Sequence, residues 1–154
     1  MFSPFNKSGN REEDDKLFLE LASSFITRED GLTTILANLS ALLKWYLDDV
    51  SWIGFYLFDG EKLRLGPFQG LPACTEIKIG KGVCGTAFKE NRTLIVSDVS
   101  TFPSHIACSS TTKSEIVVPF SLGVLDADSD SLNRFDSLDA DLLEAVVHML
   151  DEER

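Results

Sequence analysis

The sequence predicts an α+β fold, an antiparallel sheet of about six strands with helices packed on it. Three observations carry this. Two stretches near the N-terminus and one at the C-terminus repeat apolar residues every three or four positions, the signature of amphipathic helices. The middle of the chain instead carries short apolar or aromatic runs bounded by turn residues. Two of those runs are joined by Asp59-Gly60, a hairpin signal.

In order, residues 1–10 read as a loose arm, with Pro4, Gly9 and Asn10 but no periodicity. Leu17, Phe18, Leu21, Ala22 and Phe25 form the apolar face of a first helix. Thr27-Arg28-Glu29-Asp30 with Gly31 breaks it and is expected to cap the second. Ile35, Leu36, Leu39, Leu42, Leu43, Tyr46 and Leu47 make that second helix, ending near Asp48. Ser51–Phe58 and the run through Leu63, Leu65 and Phe68 read as a hairpin, and Glu76–Ile79 as a short strand. Val83–Asn91 is compatible with a short helix, Leu94-Ile95-Val96 with a strand, and 97–112 with a long Ser/Thr/Pro loop. Two further strands follow at 115–120 and 122–128, and Asp136 is expected to cap a final helix. The last two strands meet with almost no turn. Either the reversal is unusually tight or a few hairpin-tip residues are absent near 120–121, and the second reading is favoured because strand reversals use turn residues.

A chain of 154 residues fits one domain, 1–154, with no linker and no internal repeat. Its 14 basic and 25 acidic residues leave a net charge of -11, which argues against nucleic acid and anionic membranes as partners. No apolar run approaches the ~20 residues of a membrane span. The N-terminus lacks a signal-peptide pattern, so the expected location is cytoplasmic.

Chemistry concentrates between Gly66 and Asp128, around Cys74, Cys84 and Cys108. Three cysteines are too few for a disulfide scaffold, and any disulfide in the cytosol is expected to be transient and chemical. Cys84 lies between glycines at the start of a helix, where free N–H groups favour a thiolate. Its bland alternative is a small packed residue in a glycine turn. Cys108 and Cys74 fall in loops, which carry function more often than packing does. With His105 they would complete a Cys3His zinc site, but no Cys-x-x-Cys spacing supports one.

Asp126 and Asp128 share one strand face, and Glu115 begins the neighbouring strand. They read either as a strand end entering solvent or as an acidic pocket for a small cation, with one proton retained by mutual repulsion. Trp52 and Tyr56 fall on one strand face too, as core packing or as the wall of a small apolar pocket.

Taken together, Gly66-Pro67-Phe68-Gln69-Gly70, Pro72-Ala73-Cys74, Gly80-Lys81-Gly82-Val83-Cys84-Gly85-Thr86-Ala87, His105-Ile106-Ala107-Cys108, Ser114–Pro119 and Gly123–Ser129 resemble the free methionine-(R)-sulfoxide reductases, which are built on a GAF domain. The resemblance runs in register from about Trp52 to Phe135. That family's hairpin between the last two strand motifs is longer than this one. The resemblance implies a GAF-like sheet with a closed pocket and reduction of free L-methionine-(R)-sulfoxide. It further implies thioredoxin as external reductant, no cofactor or metal, and a homodimer. It makes Cys108 the attacking thiolate, Cys74 the leading resolving partner and Cys84 a second resolving or relay thiol. Glu115, Asp126 and Asp128 would bind the substrate ammonium and assist sulfoxide protonation. Trp52 would contact the methyl end, with Tyr56 as a further pocket residue. Which of Cys74 and Cys84 resolves stays open, and a GAF module that binds a small ligand without chemistry is the alternative.

Overall fold

The computed structural model describes residues 2–105 and 108–153. Its elements are α1 (Arg11–Ser23), α2 (Leu32–Tyr46), β1 (Trp52–Phe58), β2 (Lys62–Gln69), β3 (Glu76–Lys78), α3 (Gly82–Glu90), β4 (Leu94–Val96), β5 (Ser114–Phe120), β6 (Gly123–Ser129) and α4 (Ser137–Glu152), with a 3-10 turn at Val99–Thr101. The strands form one sheet in the order β3-β2-β1-β6-β5-β4, antiparallel at every pairing. Among the described residues, no helix is long and apolar enough to cross a membrane.

Local chemistry accounts for most boundaries. α1 starts ahead of its apolar repeat because the Asn10 side chain accepts the Glu13 N–H and acids in the first turn suit the positive end of the helix dipole. Residues 2–10 are irregular, as expected, but they are anchored. The Lys7 ammonium donates to the Tyr46 carbonyl at 2.6 Å, Ser8 donates twice to Asp14, and Phe5 packs edge-on against Trp45. The cap expected at Thr27–Asp30 is not used. Gly31 is the N-cap of α2 and offers no side-chain bond, while the Thr27 hydroxyl donates to Asp30 within a separate turn. Asp136 caps α4 as expected and forms a capping box with Asp139.

Asp59-Gly60 closes β1 onto β2: the Asp59 carboxylate accepts the N–H groups of Glu61 and Lys62, and Gly60 has φ +98°. The β5–β6 reversal is tight, with Ser121-Leu122 between the paired residues Phe120 and Gly123. A Cβ at Gly123 would stand 1.9 Å from the Tyr56 carbonyl oxygen, so glycine is what lets β6 lie against β1 there.

The sheet has two faces with different duties. Ile53, Phe55, Ile116, Val118, Leu125 and Ala127 point to one face, where α1, α2 and α4 cover them with Phe18, Leu36, Leu39, Leu43, Leu143 and Val146. This is the main core. The opposite face carries Trp52, Tyr56, Val117 and Val124, covered by α3 through Val83, Cys84 and Ala87 and by the loops that hold the other two cysteines. Loops cover this face less completely than helices, and a cavity remains.

Candidate active site

Strand register assembles the cavity floor. Trp52 pairs with Asp128, Asp128 with Glu115, and Glu115 with Val96. In the next row but one along the strands, Gly54 faces Asp126 and Asp126 faces Val117. Alternation places all these side chains on the α3 side of the sheet. The three acids expected as a pocket are therefore brought together, and Trp52 and Tyr56 stand beside them with ring centroids 6.0 Å apart. A bulge in the β1–β2 pairing falls just after Gly54. A Cβ there would lie 2.3 Å from that of Phe68, whose ring stacks on Trp52.

The cavity holds about 420 Å³. Its floor is acidic: Glu115 is 7% and Asp126 4% exposed. Asp126 Oδ1 and Asp128 Oδ1 are shielded from solvent and have no hydrogen-bond partner among the described residues. Among the described residues, no lysine or arginine lines the cavity. Burial, then repulsion from Asp126 and Asp128, pushes the Glu115 carboxyl well above the usual carboxylate range. Burial likewise raises Asp126 and Asp128, and Asp128 is raised further by the Asp126 charge. Three carboxyls in one low-dielectric cavity oppose one another's ionisation, and a cation among them would relieve that opposition.

The cysteines divide. Cys74 and Cys108 form a disulfide with their Cα atoms 5.3 Å apart. Cys108 lines the cavity beside Ser109 and His105. Of the His105–Cys108 motif, Ile106 and Ala107 lie outside the described residues. Cys84 is a free thiol, 4% exposed, with Sγ 4.0 Å from Glu115 Oε2. The helix start was expected to favour its thiolate. Burial and the three acid charges act the other way and push this thiol well up, so Cys84 stays protonated. The disulfide also takes two ligands from a Cys3His zinc site. Among the described residues, Cys84, Glu115 and Asp126 make a group that could hold a metal ion, their ligand atoms lying within 4.8 Å of one another.

Two aromatic groups do more than wall the cavity. The Trp52 indole N–H donates to the Leu71 carbonyl at 3.1 Å and the Tyr56 hydroxyl to the Cys74 carbonyl at 2.9 Å, which ties the Cys74 loop to β1. Sequence reading missed this tether, and it missed the cavity lining by Ser109, Ser110, Thr111 and Thr112. Adjacency to Cys108 was the one available signal for that polar run.

Residues 27–151 match the GAF domain family. The chain is 48% identical over 149 residues to GAF domain-containing protein A of Dictyostelium discoideum, covering 93% of this chain and 94% of that protein. It is 42% identical over 135 residues to the free methionine-R-sulfoxide reductase of Escherichia coli strain K12, covering 84% and 82%. The X-ray structure of free methionine-R-sulfoxide reductase from Neisseria meningitidis in complex with its substrate matches with a TM-score of 0.93 at 39% identity, over 99% of this chain and 95% of that one. With coverage this complete, sheet, cavity and cysteine loops all fall within the likeness, and the chain belongs to the GAF-domain family, among its free methionine-(R)-sulfoxide reductases.

Proposed function

We propose that this protein reduces free L-methionine-(R)-sulfoxide to L-methionine, with Cys108 as the nucleophile and Cys74 as the resolving thiol. The observation that carries the reading is the placement of the Cys108 sulfur in the wall of a cavity whose buried acidic floor has two unpartnered oxygens. A substrate ammonium on Asp126 and Asp128 would supply the missing donors and the missing positive charge. A peptide-bonded methionine sulfoxide has no such charge and would leave the acids uncompensated, which discriminates against protein substrates. Trp52 and Tyr56 offer apolar surface to the thioether end.

The Cys108 thiolate attacks the sulfoxide sulfur while a protonated floor acid, Glu115 or Asp128, supplies a proton to the oxygen. The S–O bond breaks, methionine leaves, and the oxygen ends on Cys108 as a sulfenic acid. The Cys74 thiol condenses with it, releasing water and forming the Cys74–Cys108 disulfide, and thioredoxin reduces that disulfide by exchange. Both electrons come from thiols, so the cycle as proposed draws on no metal or organic cofactor. Cys84, neutral and buried, serves the floor in this reading. A homodimer is the proposed assembly. Thioredoxin-coupled NADPH oxidation with racemic free methionine sulfoxide is the test, and consumption is expected to stop at half the substrate with the S epimer left. Cys108→Ser should abolish turnover, and Cys74→Ser should give a single turnover before stalling. Full multiple-turnover activity in both variants would overturn the assigned roles. A wild-type protein that binds a small ligand but consumes no sulfoxide would move the chain to non-catalytic sensing.

A further inference from the structure

Resting on that reading, we propose that Leu71-Pro72-Ala73-Cys74 is the docking surface for the dithiol protein that recycles the enzyme, and that the reductant enters at the Cys74 sulfur. Leu71 is 79% exposed, more than any other large apolar side chain among the described residues, and Pro72 beside it is exposed as well. An isolated surface leucine needs no explanation. This one lies three residues from a redox-active disulfide on a segment whose two ends are held by buried donors. Trp52 fixes the Leu71 carbonyl and Tyr56 fixes the Cys74 carbonyl, and Gly70 ahead of them has φ +136° and lies against Trp52. A partner therefore meets a segment already ordered, which lowers the ordering cost of binding.

Charge points the same way. One residue in four of this chain is charged and the net charge is -11, yet residues 71–75 and 108–112, on either side of the disulfide, contain no ionisable side chain other than the two cysteines. A neutral window on an acidic molecule fits a partner that presents its reactive thiolate from an uncharged apolar face, since like-charge contacts elsewhere would oppose approach.

The sulfurs are distinguished by position. Cys108 lines the cavity and Cys74 does not, although Leu71, Pro72 and Ala73 ahead of it do. Attack by the reductant thiolate on the Cys74 sulfur breaks the Cys74–Cys108 bond, forms a Cys74–reductant mixed disulfide, and expels Cys108 as a thiolate at the substrate wall. The second thiol of the reductant then attacks its partner sulfur within that mixed disulfide. The reductant leaves oxidised, and Cys74 takes up a proton.

The test compares wild type with Thr75→Glu, which puts a charge into the neutral window at an exposed residue outside the cavity lining, at saturating free methionine sulfoxide. Turnover is driven either by thioredoxin, its reductase and NADPH, or by dithiothreitol. The expected result is at least a tenfold fall in kcat/KM for thioredoxin, with dithiothreitol-driven turnover and the sulfoxide KM within twofold of wild type. An unchanged thioredoxin kcat/KM, or an equal fall with dithiothreitol, overturns the docking surface. A thioredoxin lacking its second active-site cysteine should become trapped on Cys74 of the oxidised protein, and trapping on Cys108 overturns the entry point. Absence of wild-type turnover with either reductant would instead sink the underlying functional reading.

Discussion

Two groups of buried acids in this molecule are treated in opposite ways. Asp139, at the start of α4, is fully buried, and every oxygen has a donor. Arg11 of α1 donates to Oδ1 at 3.0 Å, while Arg134 and the Asp136 N–H donate to Oδ2. The result ties α1, α4 and the segment before α4 together. Across the sheet, Glu115, Asp126 and Asp128 are also shielded, but among the described residues two oxygens lack donors and no lysine or arginine lines their cavity. Burial of charge alone marks neither structure nor function. A buried charge that its own chain leaves uncompensated marks a place for a ligand that compensates it.

The comparison can be broken most directly at the floor. Asp128→Asn should lower kcat/KM for free methionine sulfoxide by about 100-fold, mainly through KM, since losing one member of a buried charge pair costs about 2–5 kcal/mol. Thermal stability should not fall. A kcat/KM within threefold of wild type would show that the floor does not hold the ammonium. The converse substitution, Asp139→Ala, should cost about 3 kcal/mol of unfolding free energy by removing the buried carboxylate that Arg11, Arg134 and the Asp136 N–H share. In the folded enzyme the sulfoxide KM should be unchanged. If urea unfolding shows no loss, the Asp139 cluster is not the fastening described here.

A smaller effect sharpens the contrast through pH. The floor carboxyls hold protons in the folded state at pH values where the unfolded chain has lost them. The stability associated with them is therefore fully present below about pH 4, the ordinary carboxylate pKa. It is lost as pH rises through their elevated values, by about 1.4 kcal/mol per pH unit for each retained proton. Urea midpoints between pH 4 and 8 should fall more steeply for wild type than for an Asp126→Asn, Asp128→Asn double variant. Parallel profiles would refute the retained protons.

Much of this was legible in the sequence because it is local. The apolar repeat of α2, the Asp59-Gly60 turn and the Asp136 cap each need only a few neighbouring residues. The acidic floor was partly legible too, because two-residue alternation puts Asp126 and Asp128 on one strand face whatever the fold. What stayed hidden is long-range. Arg11 and Asp139 are 128 residues apart in the chain, and nothing near either predicts their meeting. The Tyr56 and Trp52 tethers depend on how a loop folds back over β1. The first turn of α1 is held by a polar cap and acids, which an apolar repeat does not register.

The Cys74–Cys108 bond joins residues 34 apart in sequence and encloses β3, α3 and β4 in a covalent ring. Closing a ring of that size removes enough freedom from the unfolded chain to favour the folded state by about 4 kcal/mol. In the cycle proposed above, the oxidised protein that awaits reductant is thus the form that proteases and heat should find harder to open, and the reduced protein the more vulnerable one. On that proposal, a shortage of reducing equivalents would halt the enzyme while lengthening its life, so that a stalled pool persists intact until reductant returns.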